Sequence, residues 1–491
     1  MATAPRLGAA PNDIYDNVAV DAQIAAAATA AETDADLRAE TVKILRAAQA
    51  QGRDAIAAAF AAAPFDAAAM TASYTYLTDG MVKSVLMVTT RYLHPTPKNA
   101  AALSVIGVGG YGRGEMAPFS DVDLLFLLPA KITPWASMVI EAMLYLLWDL
   151  KLKVGHSSRT IRDCVQLARE DYTIQTALLE HRFVCGDRAL AEQLDETLTR
   201  ELFSGSGHEF IEAKLAERDS RHLKQGQRYV VEPNVKEGKG GLRDLQSLFW
   251  IAKYIHGVQH SADLVEKGVF RADEYETFKA AENFLWAVRG HLHLLTKRAT
   301  EQLTFDMQVS VAEAMNYEDQ SGRRAVEVFM QAYFRHATAV GDLTRIFLTK
   351  LEDMHVKSEP LLERLFRRRP KIKDGYVVVH NRIDIADTNA FLKRPLNLLN
   401  VYEEALRTGM LIHPDAMRTV KANLHLIDDE VRNSPEAQRI FLDLLLKHGN
   451  PERALRRMNE LGVLSAFIPE FEPIVAMMQF NMYHSYTVDE H

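Results

Sequence analysis

Gly107-Val108-Gly109-Gly110-Tyr111-Gly112-Arg113-Gly114-Glu115 decides the fold, together with the Pro118-Phe119-Ser120-Asp121-Val122-Asp123 and Leu124-Leu125-Phe126-Leu127-Leu128 that follow it. Leu103-Ser104-Val105-Ile106 enters this stretch like the end of a strand, and a more apolar strand leaves it. Between the two lies a glycine-dense loop. Without Cβ atoms, its backbone N–H groups are free to turn towards one point, as a polyphosphate cradle requires. Strand side chains alternate faces, so Asp121 and Asp123 are expected on one side and Val122 on the other. Two neighbouring carboxylates repel unless a cation joins them, and hard oxygen ligands suit Mg²⁺. Cradle and carboxylate pair together read as metal-assisted nucleotidyl transfer; the bland alternative is a glycine-rich hairpin with a solvated acidic strand start. Gly107, Gly109 and Gly112 also fit a bare G-x-G-x-x-G spacing, but an acidic strand follows them where a dinucleotide-binding domain needs a long helix.

Working outward, 491 residues suit about three domains. A content of 48% hydrophobic and 25% charged residues is that of an ordinary globular chain. The net charge of −8 offers no broad basic field, so nucleic acid is not an expected partner. Cys164 and Cys185 provide no disulfide framework and fit a reducing cytoplasm. The most apolar helical run, Met138–Leu150, contains Glu141 and Asp149 and is too short to span a bilayer, so no membrane association is expected.

The expected organisation is α+β: a mixed sheet with helices, then a mainly helical part. Residues 1–30 read as a mobile Ala-rich arm. Residues 31–244 read as the nucleotidyltransferase domain with its N-terminal helices, with Leu37, Val42, Ile44, Leu45, Ile56 and Phe60 as a buried face. Residues 245–360 read as a helical bundle domain, and 361–475 as a helical region holding a small hairpin around His380-Asn381. The dense charge between His208 and Lys224 reads as the solvated side of a helix. A second loop, Glu232-Pro233-Asn234-Val235-Lys236-Glu237-Gly238-Lys239-Gly240-Gly241-Leu242-Arg243-Asp244, sets glycines beside Lys236, Lys239 and Arg243. It suits phosphate contact, helix capping or both. His291 and His293 lie two apart on different helix faces and read as structural.

At these motifs the chain resembles the bacterial PII uridylyltransferase/uridylyl-removing family, within the polymerase β-like nucleotidyltransferase superfamily. The glycine loop with its Asp-x-Asp, the second loop through Asp244, and His484-Ser485-Tyr486-Thr487-Val488-Asp489-Glu490-His491 carry the resemblance, which runs from about residue 65 onward. It implies Mg²⁺-dependent transfer of UMP from UTP to a tyrosine of the PII signalling protein, with release of pyrophosphate. It also implies a second, uridylyl-removing activity in an HD domain and control by glutamine. Residues 476–491 then read as the truncated start of that HD domain, with His491 a metal ligand only in a full-length HD domain and everything after about Met478 poorly fixed. By the same resemblance, Asp121 and Asp123 hold the Mg²⁺. Gly109, Gly110 and Ser120 contact the triphosphate, and Arg113, Lys236 and Lys239 supply counter-charge. The superfamily's third carboxylate has no counterpart in Lys153–Thr160, which leaves Asp244 as its substitute or as a helix cap. The competing enzyme reading is an adenylyltransferase acting on glutamine synthetase, or a small-molecule nucleotidyltransferase.

Overall fold

The computed structural model describes residues 5–203, 207–225, 230–258, 260–320, 322–355, 371–480 and 486–490. The chain divides into two compact units, the first taking in residues up to 225, 234–264 and 279–318. The boundaries expected at 244 and 360 do not coincide with this division.

The first unit opens with α1 (Pro11–Ile14) and α2 (Asn17–Ala30), so the expected mobile arm is helical from Pro11. Its anchors are Ile14 and Tyr15, both buried. A Cβ on Gly52 of α3 (Asp34–Ala62) would stand 2.2 Å from the Ile14 carbonyl oxygen, and one on Gly80 of α4 (Ala67–Val88) 2.3 Å from the Tyr15 ring. Two missing side chains thus let the arm press onto its neighbours, and Tyr15 Oη closes the contact by donating to Ser84 Oγ at 2.9 Å. The same close packing moves the buried face of α3. Leu37, Leu45, Ile56 and Phe60 are buried as expected, but Thr41, Gln49 and Gly52 complete the stripe in place of Val42 and Ile44.

After α4 come β1 (Ser104–Gly107), the single turn α5 (Gly109–Arg113) and β2 (Val122–Leu128). The crossover α6 (Pro134–Asp149) leads to β3 (Val154–Thr160), then α7 (Ile161–Glu170), α8 (Tyr172–Leu179) and β4 (Arg182–Gly186). The sheet order is β3-β2-β1-β4, with β2 and β3 parallel and the other pairs antiparallel. The α+β expectation holds. One sheet face packs Ile106, Leu125 and Leu127 against Cys164, Val165 and Leu178, and against Leu190, Leu194 and Leu198 of α9 (Arg188–Glu201). Cys164 and Cys185 are free, and burial pushes the Cys164 thiol up to about 12. The crossover α6 keeps one wet side, where Met138, Tyr145 and Trp148 are exposed.

The unit continues through α10 (His208–Gln225), α11 (Leu242–His256), the single turn α12 (Asp263–Glu266), α13 (Ala272–Thr296, from Lys279 on) and α14 (Phe305–Ala314). These helices do not stand apart as a bundle. Trp250 Nε1 of α11 donates to the buried Glu180 at the end of α8, and Asn283 Nδ2 of α13 donates to the Phe65 carbonyl at 2.6 Å. Helical and sheet parts therefore share one core.

The second unit takes in residues 226–233, 265–278 and from 319 onward. The expected hairpin is present as β5 (Tyr376–Val379) and β6 (Arg382–Ile385), with His380 and Asn381 both at positive φ in the turn, and β7 (Leu411–Ile412) joins β6 in parallel. Its core gathers Ile383, Leu399, Tyr402, Val420, Leu444 and Met458. Residues 486–490, expected to be poorly fixed, are docked instead. Val488 N–H donates to Met477 O at 2.8 Å, and the Asp489 carboxylate accepts from Asn459 Nδ2 at 2.8 Å and Ala476 N–H at 3.0 Å. Hydrogen bonds to Asn459, Ala476 and Met477, which need no metal, fix this segment, and the expectation of a loose end had left them out. His484, His491 and the Arg364–Arg369 run lie outside the described residues. No helix among the described residues is long and apolar enough to cross a membrane.

Candidate active site

The end of β1 and the beginning of β2 form the floor. Val108 N–H donates to the Asp123 carbonyl at 3.1 Å, which extends the ladder one residue and brings Gly109 over the carboxylate. A Cβ on Gly109, where φ is +59°, would meet Asp123 Oδ2 at 3.3 Å; one on Gly155 of β3, in register with Asp123, would meet Oδ1 at 2.3 Å. Both carboxylate oxygens therefore lie against glycines. Asp121 is exposed, Asp123 half-buried and Val122 buried, as the alternation predicts. Burial and the Asp121 charge push the Asp123 carboxyl up, against the pull of Lys236. The sequence pair is thus a spatial pair, faced by a cation from the second loop.

The glycine loop is a helical turn, not an open cradle. Gly112 N–H bonds back to Val108 O, and Gly114, at φ +76°, ends the turn. Gly112 has no room for a side chain, since a Cβ would lie 2.0 Å from Glu180 O. Beneath it, the buried Tyr111 Oη donates to Asp79 Oδ1 at 2.8 Å, and Arg182 grips Asp79 with two bonds of 2.8 and 2.9 Å. Gly109 and Gly110 keep the expected position at the start of the turn.

Arg113 does not. Its Nε donates to Glu115 at 2.9 Å and its Nη1 to Glu180 at 2.7 Å, with only 12% of the side chain exposed. Burial opposes its charge, but Glu180 and Glu115 hold the guanidinium protonated. Arg113 braces the turn from inside and is not placed to meet a triphosphate. Ser120 Oγ accepts from Ala117 N–H at 2.9 Å and shapes the turn before Asp121.

In the second loop, Asn234 Oδ1 accepts from the N–H groups of Lys236 and Glu237 at 3.1 and 2.7 Å. Val235 N–H reaches Glu301 O at 2.9 Å and fastens the loop to the segment after α13. Lys236 is half-buried and Lys239 exposed. Burial, with Arg289 and Arg243 nearby, lowers the Lys236 ammonium from its usual range, while Glu301 and Glu237 act the other way.

Asp244 is placed elsewhere. It is 3% exposed, and its carboxylate takes Gly240 N–H at 2.8 Å, His222 Nε2 at 2.9 Å and Arg221. The arrangement is that of a loop clasp, not a third metal ligand. Arg221 was expected on the wet side of its helix; it and His222 both bond to the buried Asp244 instead. Burial pushes the Asp244 carboxyl up, but His222, Arg221 and Gly240 N–H bring it below the usual carboxylate range. Asp244→Asn leaves the buried Arg221 guanidinium without its anion and is expected to cost about 3–5 kcal/mol in denaturant unfolding at neutral pH. Because the folded-state value is depressed, this stabilisation is present above the unfolded value of about 3.9 and is lost as pH falls through the folded value. Wild type and variant should converge in acid.

One group of residues was missed. Arg289 and His293, four apart on α13, both face Glu301. Arg289 Nη2 donates to it at 2.7 Å, and His293 Nε2 stands 3.6 Å away. Although burial pushes the Glu301 carboxyl up, His293 and Arg289 bring it down to about 2. His293 also tilts against Phe119 at 6.5 Å between ring centroids, and Arg53 lies over the same ring at 5.5 Å. The i, i+4 spacing of Arg289 and His293 was the available signal, hidden behind the His291–His293 pair. His291 is structural, stacked on Phe60 and bonded to Pro64 O at 2.9 Å.

Comparison with known proteins settles the relationship. Residues 209–348 match the family described as GlnD PII-uridylyltransferase, and 376–467 match the uridylyltransferase GlnD third domain. The bifunctional uridylyltransferase/uridylyl-removing enzyme of Ruegeria pomeroyi is 67% identical over 480 residues, covering 97% of this chain and 53% of that protein. The chain belongs to the GlnD uridylyltransferase family. GlnD relatives of the same printed name from Cereibacter sphaeroides and Rhodopseudomonas palustris are 59% and 48% identical, covering 100% and 85% of the chain and 54% and 46% of their own lengths. The chain thus spans about half the length of the curated GlnD relatives it matches. Residues 9–143 match a glutamate-ammonia ligase adenylyltransferase family. That span includes the Ala-rich arm, which the sequence reading had left outside any resemblance. Because the same span also holds the glycine turn and Asp-x-Asp, it does not separate the two enzyme readings, whereas the GlnD matches after residue 208 do.

Proposed function

We propose that this chain transfers UMP from UTP to a tyrosine hydroxyl of a PII-type protein. The observation that carries the reading is the Asp123 carboxylate lying between Gly109 and Gly155, with the charges of Asp121 and Lys236 both acting on it. The donors fit a hard divalent cation such as Mg²⁺: carboxylate oxygens only, with no Cβ on the glycines beside either oxygen of Asp123, and a carboxyl already pushed up by burial and by its neighbour's charge. When bound, such an ion offsets negative charge on the phosphate oxygens. Lys236 faces the same space and neutralises the triphosphate tail, and Lys239, at the exposed tip of the second loop, adds charge from solvent. The first turn of α5 directs N–H groups towards the phosphates. The new bond joins tyrosine oxygen to the α-phosphorus, the α–β phosphoanhydride bond breaks, and pyrophosphate leaves. Glutamine control and the uridylyl-removing activity in the relatives' names fall outside this site.

Incubation with PII, Mg²⁺ and labelled UTP or ATP tests the reading: label from UTP should appear on a PII tyrosine. Label from ATP alone, or none, would sink it. Lys236→Ala should raise KM for UTP roughly ten- to a hundred-fold, the loss of one charge-assisted contact of about 1.5–3 kcal/mol. Lys239→Ala should raise it less, since its exposed charge is screened. Equal KM values for both variants and wild type would return the second loop to a purely capping role.

A further inference from the structure

A cavity of about 620 Å³ opens between β4, α9 and α11, and none of the residues assigned above to nucleotide or metal lines it. Its volume is in the range of small-molecule sites. Phe183, Phe203 and Tyr254 contribute rings to a lining that is otherwise mostly polar. Cations outnumber acids in it. Arg182 and Lys253 are half-buried, and the exposed Arg188 lies over the Phe183 ring at 4.4 Å. The acids are Glu192 and Asp195, exposed residues of α9, and Asp195 stands 3.6 Å from His181 Nε2. Burial lowers the Lys253 ammonium from its usual range, against the pull of Glu180 and Asp195; an anion beside it would restore the charge.

We propose that this cavity is a second ligand site, for a small organic anion with a flat apolar body, and that it acts on the glycine turn through Arg182. The linkage is direct. The guanidinium that lines the cavity is the one that grips Asp79 and donates to Tyr111 O at 3.2 Å, and Asp79 in turn holds the Tyr111 hydroxyl. The Arg182 Nε is buried and makes no hydrogen bond. An anion entering the cavity competes with Asp79 for this side chain and loosens the seat of α5. Two sites joined by one shared side chain are the basis of the proposed coupling.

2-Naphthoate is a suitable probe, being a flat carboxylate with neither ribose nor phosphate for the glycine turn, and 2-naphthamide is its uncharged counterpart. By titration calorimetry on the whole chain, 2-naphthoate should bind at least tenfold more tightly than the amide. Arg188→Glu and Lys253→Glu should each weaken it tenfold or more, whereas Asp121→Asn should leave it alone. Amide hydrogen exchange at residues 109–113 should quicken at least fivefold when the probe is saturating. No binding at millimolar concentration, equal binding of the amide, indifference to both charge reversals, or unchanged exchange at 109–113 would each overturn the proposal. Circular dichroism of the two charge-reversal variants separates lost binding from lost fold.

Discussion

Replacing Asp121 or Asp123 by asparagine is expected to reduce nucleotidyl transfer by at least a thousandfold while leaving the fold intact. Each substitution removes a hard oxygen donor, and asparagine keeps the shape without the charge. The stability consequence has a definite sign. The Asp123 carboxyl is raised in the folded chain by burial and by Asp121, so its ionised form is held at a cost that is present above the folded value and absent below the unfolded one. Asp123→Asn should therefore melt at the same temperature as wild type or slightly higher at neutral pH, and the gain should vanish below about pH 4. Transfer assayed beside a melting curve checks both halves. Near-normal Mg²⁺-dependent turnover in either variant would remove the carboxylate pair from the chemistry.

Gly155→Ala should also damage transfer, although it replaces no ionisable group. A methyl group there would occupy the position of Asp123 Oδ1, at 2.3 Å, and the carboxylate would have to swing aside. Displacing a reacting group by about 1 Å can cost on the order of a hundredfold in rate. The fold should tolerate the change, because Gly155 is an exposed strand residue at an ordinary φ and alanine stiffens the unfolded chain by about 0.4–1 kcal/mol. A fall in kcat with an unchanged or raised Tm is the expected pairing. Gly112→Ala makes the instructive contrast: its methyl group would meet the Glu180 backbone at 2.0 Å, which cannot swing away, so stability and activity should fall together.

β1, β2, β3, the carboxylate pair and the hairpin at His380-Asn381 were legible because each is written in local sequence: alternation, glycine density, turn chemistry; β4 and β7 were not. What sequence did not show were pairings between distant residues. Arg113 looked like a phosphate ligand until Glu180, 67 residues away, proved to hold it. Arg221 looked solvated because the anion that draws it inward is Asp244, on another helix. The N-terminal arm looked loose because its anchoring depends on what Gly52 and Gly80 lack. Glu301 carried no motif at all; its significance comes from the two α13 side chains that face it.

The separation along the chain of the parts that meet at this site has a consequence for biosynthesis. Asp123 emerges from the ribosome about 110 residues before Lys236 and nearly 180 before Glu301, which fastens the second loop through its backbone. At roughly 5–20 residues per second, the interval to Glu301 lasts on the order of ten to forty seconds. Throughout it, the nascent sheet holds two adjoining acids without the lysine that faces them in the finished chain. The meeting of Asp123 with Lys236 is therefore a late event in the life of each molecule, scheduled by translation.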